Sequence, residues 1–294
     1  MTIKDALDIV RDYYNLNNPS EKEEFIYVEA VKYLMEETKD PQYIMELGGY
    51  YYGKKDYELA LKYYEYAAEF DYEPAYEGLG YIWYYGRTGA PDYEKAFTYY
   101  SKAAQKGNVV CKYKIADMYK NGYYVEKDYD KYKEIIKSLY LAAKRMKNVF
   151  DPIPEIYTRL AKIWAYEGKK EEAIELYIEA RNVLAMRIRF NPFFGNLSIM
   201  KWLINDLYKL ISFEEDDMEY FDLYYVLKKP TKVRFKYNSK NYEVESVIED
   251  GKCIVRFQEK WYRSIDDFII KACIDQEKLC VIADSLYMFE IIKD

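Results

Sequence analysis

Four cysteines, at 111, 253, 273 and 280, and an acidic run, Glu214-Glu215-Asp216-Asp217, are the first places to look for chemistry in this chain. The cysteines form no Cys-x-x-Cys pair, so the spacing of a zinc ribbon or a thioredoxin-type redox pair is missing. None of the 294 residues is histidine. That removes Ser-His-Asp and Cys-His nucleophiles, the histidine general base and every His-ligated metal. No Gly-x-Gly-x-x-Gly or Gly-Lys-Ser/Thr segment is present to cradle a phosphate. The acidic run is compatible with a divalent ion, but at the start of a predicted helix the helix dipole and solvent account for it. No catalytic residue, cofactor or metal is therefore expected. The abundant functional group is tyrosine, with 38 residues. Its ring and hydroxyl suit recognition, although codon bias alone would also produce such an excess.

Charge narrows the partner. Against 44 Lys and Arg stand 51 Asp and Glu, a net of −7, which argues against a chain-wide nucleic-acid footprint. Lys144, Arg145, Lys147, Arg181, Arg187 and Arg189 could still gather into a basic patch. A solvated outer face is the plainer reading, and contact with nucleic acid or an acidic peptide the sharper one. The start, Met1–Arg11, is amphipathic and charged without a signal-type apolar run, and no stretch approaches the roughly 18 apolar residues of a membrane span. With scattered cysteines reading as reduced, buried thiols, a cytoplasmic location away from membranes is expected.

The elements that must position any site are repeats. An offset of 36 carries Ala75-Tyr76-Glu77-Gly78-Leu79-Gly80 onto Cys111-Lys112-Tyr113-Lys114-Ile115-Ala116, Gly86 onto Gly122, and Asp92-Tyr93 onto Asp128-Tyr129. The same offset relates Asp56-Tyr57, Ala60, Tyr64 and Ala67-Ala68 to Asp92-Tyr93, Ala96, Tyr100 and Ala103-Ala104. Leu47-Gly48 lies only 32 before Leu79-Gly80, so the first turn is four residues shorter. A fourth unit repeats the first at an offset of 113, through Leu160-Ala161, Trp164, Ala173, Tyr177 and Ala180. Apolar, small and aromatic residues recur at three- and four-residue steps, the pattern of amphipathic helices. Gly48, Gly80, Ala116 and Ala161 are small where paired helices must approach. Gly53, Gly86, Gly122 and Gly168 suit the reversals, and Asp56, Asp92 and Asp128 suit N-caps of the second helices. One such pair cannot bury its apolar face alone, so neighbours must stack.

These residues resemble the tetratricopeptide repeat superfamily, and its Sel-1-like branch in particular. The second unit is most similar to that branch: Ala75, Leu79-Gly80, Trp83, Tyr85-Gly86, Asp92, Lys95-Ala96, Tyr99-Tyr100, Lys102-Ala103-Ala104 and Gly107. The third is degenerate, with Ala116 for Gly and Tyr132 where Ala is usual. The resemblance covers about residues 41–185 and implies a right-handed α-solenoid that binds other proteins or peptides. It also implies that the first helix of each pair lines the concave side. Carried over position by position, this gives Met45 and Tyr52, then Glu77, Tyr81, Tyr84 and Tyr85. Next come Tyr113, Asp117, Lys120 and Asn121, and finally Thr158, Lys162 and Tyr166. Together they would make a tyrosine-rich groove for a peptide or partner helix, unless several tyrosines pack between repeats instead. Of the Lys and Asn positions that clamp a carboxylate in some relatives, only Lys120, Asn121 and Lys162 could contribute.

The flanks complete the plan. Residues 3–15 and 20–38 read as a capping helix pair, with Ser20 and Glu23 as a capping box. Asn191-Pro192-Phe193-Phe194-Gly195 breaks the pattern, and burial is the plainer reading of its two aromatics. Helices are expected near 196–211 and 216–228. After Lys229-Pro230 the periodicity changes to alternation: Val233, Phe235 and Tyr237, then Tyr242, Val244, Ser246 and Ile248, then a strand over 253–257. Asn238–Asn241 and Glu249–Lys252 supply the turns. Ser264 caps a helix through Cys273, and 279–292 reads as a short helix and a last strand. The predicted organisation is a cap over 1–40, four repeats over 41–190, closing helices over 191–229 and a small α+β domain over 230–294. The expected function is a non-enzymatic scaffold or adaptor with a protein or peptide partner. The alternative is a regulator that contacts nucleic acid through the C-terminal module and the basic patch.

Overall fold

The computed structural model describes residues 1–16, 19–145, 152–192 and 194–292. Lys147 and Phe193 lie outside them, as does the side chain of Phe194. The chain divides into two compact units, Met1–Ile135 and Ile136–Asp294.

The first unit is a stack of helix pairs: α1 (Ile3–Tyr14) with α2 (Glu21–Thr38), α3 (Pro41–Gly53) with α4 (Tyr57–Ala68), and α5 (Glu73–Tyr84) with α6 (Tyr93–Gln105). Then come α7 (Val109–Asn121) and the start of α8 (Tyr129–Arg145). The second helix of each repeat begins in the same way. Asp56, Asp92 and Asp128 accept a hydrogen bond from the backbone N–H three residues on, satisfying an orphan donor of the first turn. Ser20 and Glu23 close a reciprocal capping box at α2.

Close approach is set by tyrosine rings against glycine backbone. Tyr64 of α4 is wedged between Gly48 of its own pair and Gly78 of the next, and a Cβ at either glycine would overlap the ring. Tyr100 of α6 stands in the same way against Gly80. Gly86, at φ +57°, turns the chain between α5 and α6, where a Cβ would lie 2.6 Å from the Gly89 carbonyl oxygen.

The second unit continues helically through the rest of α8, α9 (Ile153–Tyr166), α10 (Lys170–Phe190) and α11 (Phe194–Leu207). The helix expected over 216–228 is not continuous. Residues Glu215–Asp217 and Tyr220–Asp222 form 3₁₀ turns, and α12 spans only Leu223–Val226. Two causes are visible. Asp222 accepts a hydrogen bond from the Glu219 backbone N–H at 2.8 Å, part of a capping box that makes extended Glu219 the start of a new turn, not the continuation of an earlier one. Tyr220, Phe221, Asp222, Leu223 and Tyr224 are all buried, so no polar face remains for an amphipathic helix.

The C-terminal part is an antiparallel sheet of β1 (Thr231–Tyr237), β2 (Lys240–Glu249), β3 (Lys252–Phe257), β4 (Lys260–Tyr262) and β7 (Tyr287–Ile292), in the order β4-β3-β2-β1-β7. Its first two hairpins turn at Asn238-Ser239 and Asp250-Gly251, all four at positive φ, as two-residue turns between twisted strands favour. Val233, Phe235, Val244, Val255 and Phe257 point to one side, where Phe268 of α13 (Ile265–Lys271) packs edge-on to Phe257. The helix stops at Lys271, and Cys273 begins a small ribbon of β5 (Cys273–Ile274) with β6 (Glu277–Lys278).

Candidate partner-binding site

In the first unit, the first helices of successive repeats meet through tyrosines and two cations. Lys114 on α7 is buried, with 9% exposure. Its ammonium donates a hydrogen bond to the Tyr85 hydroxyl at 2.9 Å and stands 5.1 and 5.4 Å from the ring centres of Tyr81 and Tyr84 on α5. Tyr81 and Tyr85 stack at 6.0 Å with 7° between their planes. Arg87, in the turn after α5, lies 5.1 Å from the centre of the Tyr85 ring and donates from Nε to the Tyr52 hydroxyl at 3.0 Å. Tyr57 closes the row, 5.4 Å from the guanidinium and edge-on to Tyr52. The result is one continuous patch from α3 to α7: Tyr57, Tyr52, Arg87, Tyr85, Lys114, Tyr81.

Both cations are held by rings and hydroxyls rather than by carboxylates. No described carboxylate forms an ion pair with Arg87 or Lys114, whereas most other described cations with a close partner have an acidic one. Burial raises the phenols of Tyr81 and Tyr84 well above the usual range, with Glu77 and Asp117 adding to the effect. The hydroxyls therefore remain protonated and able to donate at neutral pH.

The expected groove residues divide. Tyr85 is 45% exposed and lies at the surface of the patch. Tyr52, Tyr81 and Tyr84 are half-buried and pack against their neighbours, Tyr84 against Tyr93, Tyr100 and Tyr123. Tyr113 is buried. Glu77 accepts from the Asn108 amide at 2.6 Å, which ties α5 to the N-cap of α7. Asp117 is half-buried, Asn121 is exposed, and Lys120 places its ammonium 5.2 Å from the Tyr132 ring centre. In the second unit, Tyr166 is 82% exposed, Lys162 pairs with Asp206 at 2.8 Å, and the Thr158 hydroxyl donates to the Pro154 carbonyl.

Lys114 and Arg87 were not among the residues expected from sequence. A signal for Lys114 exists, because the 36-residue offset places it where the preceding unit has Gly78. Of the basic patch, Arg181 pairs with Glu219 and with the buried Asp222, Arg187 with Glu155, and Arg189 with Asp284. Lys144 lies over the Tyr140 ring. Glu215 of the acidic run accepts from the Ile291 backbone N–H at 2.7 Å. Among the described residues no group of three acidic or sulfur side chains is placed to hold a metal. No described helix is long and apolar enough to cross a membrane.

Comparison with known proteins agrees with the repeat pattern. The family model described as Sel1 repeat matches residues 41–69, 74–108 and 109–131. These three segments carry the Sel1 repeat pattern, and α9 with α10 lies outside them. Among solved structures, a Sel1 repeat protein from Oxalobacter formigenes aligns at 19% identity and a TM-score of 0.49, covering 72% of this chain and 77% of that one. A protective antigen present in uropathogenic Escherichia coli strains and displaying an SLR fold aligns at 18% identity and a TM-score of 0.47. That alignment covers 73% of this chain and 50% of the antigen, so this chain spans half of it. No curated protein matches the sequence significantly.

Proposed function

We propose that these Sel1 repeats make the chain a non-enzymatic scaffold whose Tyr52–Lys114 face receives an acidic peptide segment of a partner protein. Sel1 repeats are in general protein-interaction scaffolds. The observation that carries the finer reading is the pair of cations, Lys114 and Arg87, which share the Tyr85 ring and form no ion pair with a described carboxylate of their own chain. A carboxylate from outside would gain charge-assisted hydrogen bonds from an ammonium and a guanidinium already fixed in place. Tyr85 and Tyr52 add broad contact area with a hydroxyl at low entropy cost. Glu77 and Asp117 on the same helices disfavour a dianionic phosphate and leave a single carboxylate better matched.

The test is affinity capture from lysate of the source cells, with wild type, Tyr85→Ala and Lys114→Met compared by quantitative mass spectrometry. Lys114→Met keeps an unbranched apolar stem and removes the charge together with the hydrogen bond to the Tyr85 hydroxyl. A partner retained by wild type and lost from both variants, each with an unchanged melting curve, supports the reading. Capture that is indifferent to both substitutions contradicts it. The nucleic-acid alternative is disfavoured by the ion pairs that occupy Arg181, Arg187 and Arg189. It would return if nucleic acid bound the full chain with a steep loss of affinity in salt.

A further inference from the structure

A second site lies between the N-terminal helix pair and the first repeats. A cavity of about 550 Å³ is walled by Tyr13 and Tyr14 of α1, Tyr27 of α2, Glu46 and Tyr50 of α3, and Tyr72 at the start of α5. Tyr13 and Tyr27 stack at 3.9 Å, Tyr14 meets Tyr27 edge-on at 6.1 Å, and Tyr50 tilts against Tyr27 at 5.7 Å. One oxygen of Glu46 accepts hydrogen bonds from both the Tyr14 and the Tyr27 hydroxyls. Its other oxygen has no hydrogen bond or ion pair with a described residue.

The chemistry of this wall is one-sided. Five tyrosine rings line the cavity beside one carboxylate, and an open ring face carries negative quadrupole potential. No described lining residue is Lys or Arg. Elsewhere the chain seats its own cations on such rings, Lys95 at 3.9 Å from the Trp83 ring centre and Lys131 at 4.2 Å from Tyr119. Lys54, 5.6 Å from the Tyr50 ring centre, is paired with Glu24 and does not line the cavity.

From this geometry we propose that the cavity binds an organic ammonium group, with the rings of Tyr13, Tyr14, Tyr27, Tyr50 and Tyr72 as the cage and Glu46 as the counter-charge. The two phenols fix the carboxylate in advance, so its other oxygen meets the cation without reorganisation. The volume lies within the ordinary range of small-ligand sites and holds an alkylammonium head with its stem. Such a head is carried by a free quaternary amine or by a lysine side chain of a bound protein. The site is separate from the Tyr85 patch, and its failure would leave the peptide reading intact.

Calorimetric titration of the full chain tests it with three probes: choline, its uncharged isostere 3,3-dimethylbutan-1-ol, and N-acetyl-lysine methylamide. At least one cation should bind about tenfold or more tighter than the neutral isostere. Preference for choline identifies a free amine, and preference for the lysine amide a protein side chain. Glu46→Gln should weaken the cation by about tenfold and leave the isostere unchanged. Gly49 lines the cavity, and a Cβ added there would meet no atom within 4 Å. Gly49→Leu should therefore fill the space and abolish binding while the melting curve is kept. Neither cation binding more tightly than the isostere, cation binding insensitive to Glu46→Gln, or no saturable binding of either cation would overturn the proposal.

Discussion

The ring of Tyr100, fully buried on α6, occupies the space where a Cβ on Gly80 of α5 would stand. A methyl group there forces either the ring or the helix to move. Gly80→Ala should therefore destabilise the fold by about 1–3 kcal/mol, the usual cost of overpacking, despite alanine's better helix propensity. Gly49→Ala is the control, because its added Cβ meets nothing within 4 Å. It should be neutral or stabilising by up to about 1 kcal/mol. Urea unfolding of the two variants measures the contrast.

Arg181 holds the fully buried carboxylate of Asp222 at 3.0 Å in the second unit. Burial raises the pKa of Asp222 from its ordinary value, against the pull of Arg181. Removing the guanidinium would leave a buried anion without its counter-ion. Arg181→Ala should cost about 3–5 kcal/mol near neutral pH. With the folded-state pKa raised further in that variant, protonation relieves the penalty. The deficit against wild type should therefore shrink as pH falls toward the carboxylate range, which thermal melts at pH 7 and pH 5 would compare.

Burial also raises the phenols of Tyr27, Tyr64, Tyr100, Tyr220 and Tyr224 above the ordinary tyrosine value. A raised folded-state pKa gives stability that is fully present below the unfolded value, about 10, and is lost as pH rises beyond it. The melting temperature should fall steadily above about pH 10. Absorbance at 295 nm should show some phenols ionising in the folded chain and the rest in a single step as it unfolds. A smooth titration of all tyrosines with no stability loss would contradict the buried-ring core.

Local chemistry made much of this fold legible in the sequence. Asp56, Asp92 and Asp128 announce their helices because an N-cap bond spans only three residues, and Asp250-Gly251 announces its hairpin because two residues define the turn. The segment 216–228 reads as one helix in the sequence because periodicity does not register the inward pull of Tyr220, Phe221 and Tyr224 or the bond that the Glu219 N–H donates to Asp222. The sites were harder. Spacing marks Tyr81 and Tyr85 as neighbours on one helix, but the burial of Lys114 depends on rings from the preceding pair. The tyrosines around Glu46 come from four helices or their starts, at positions from 13 to 72 that no local pattern connects. Lys162 reads as an available cation until Asp206, 44 residues on, is seen beside it.

In the proposed function a partner is held at the face where Lys114 and Arg87 share Tyr85. Site-specific photo-crosslinking tests it most directly, with p-benzoylphenylalanine placed at Thr88, next to Arg87 in the turn after α5, in one sample and at Tyr66, exposed on α4, in another. A partner adduct formed from position 88, absent from position 66 and lost when Lys114→Met is added, is the result expected. Adducts formed equally from both positions, or unaffected by Lys114→Met, would place the partner elsewhere on the repeats.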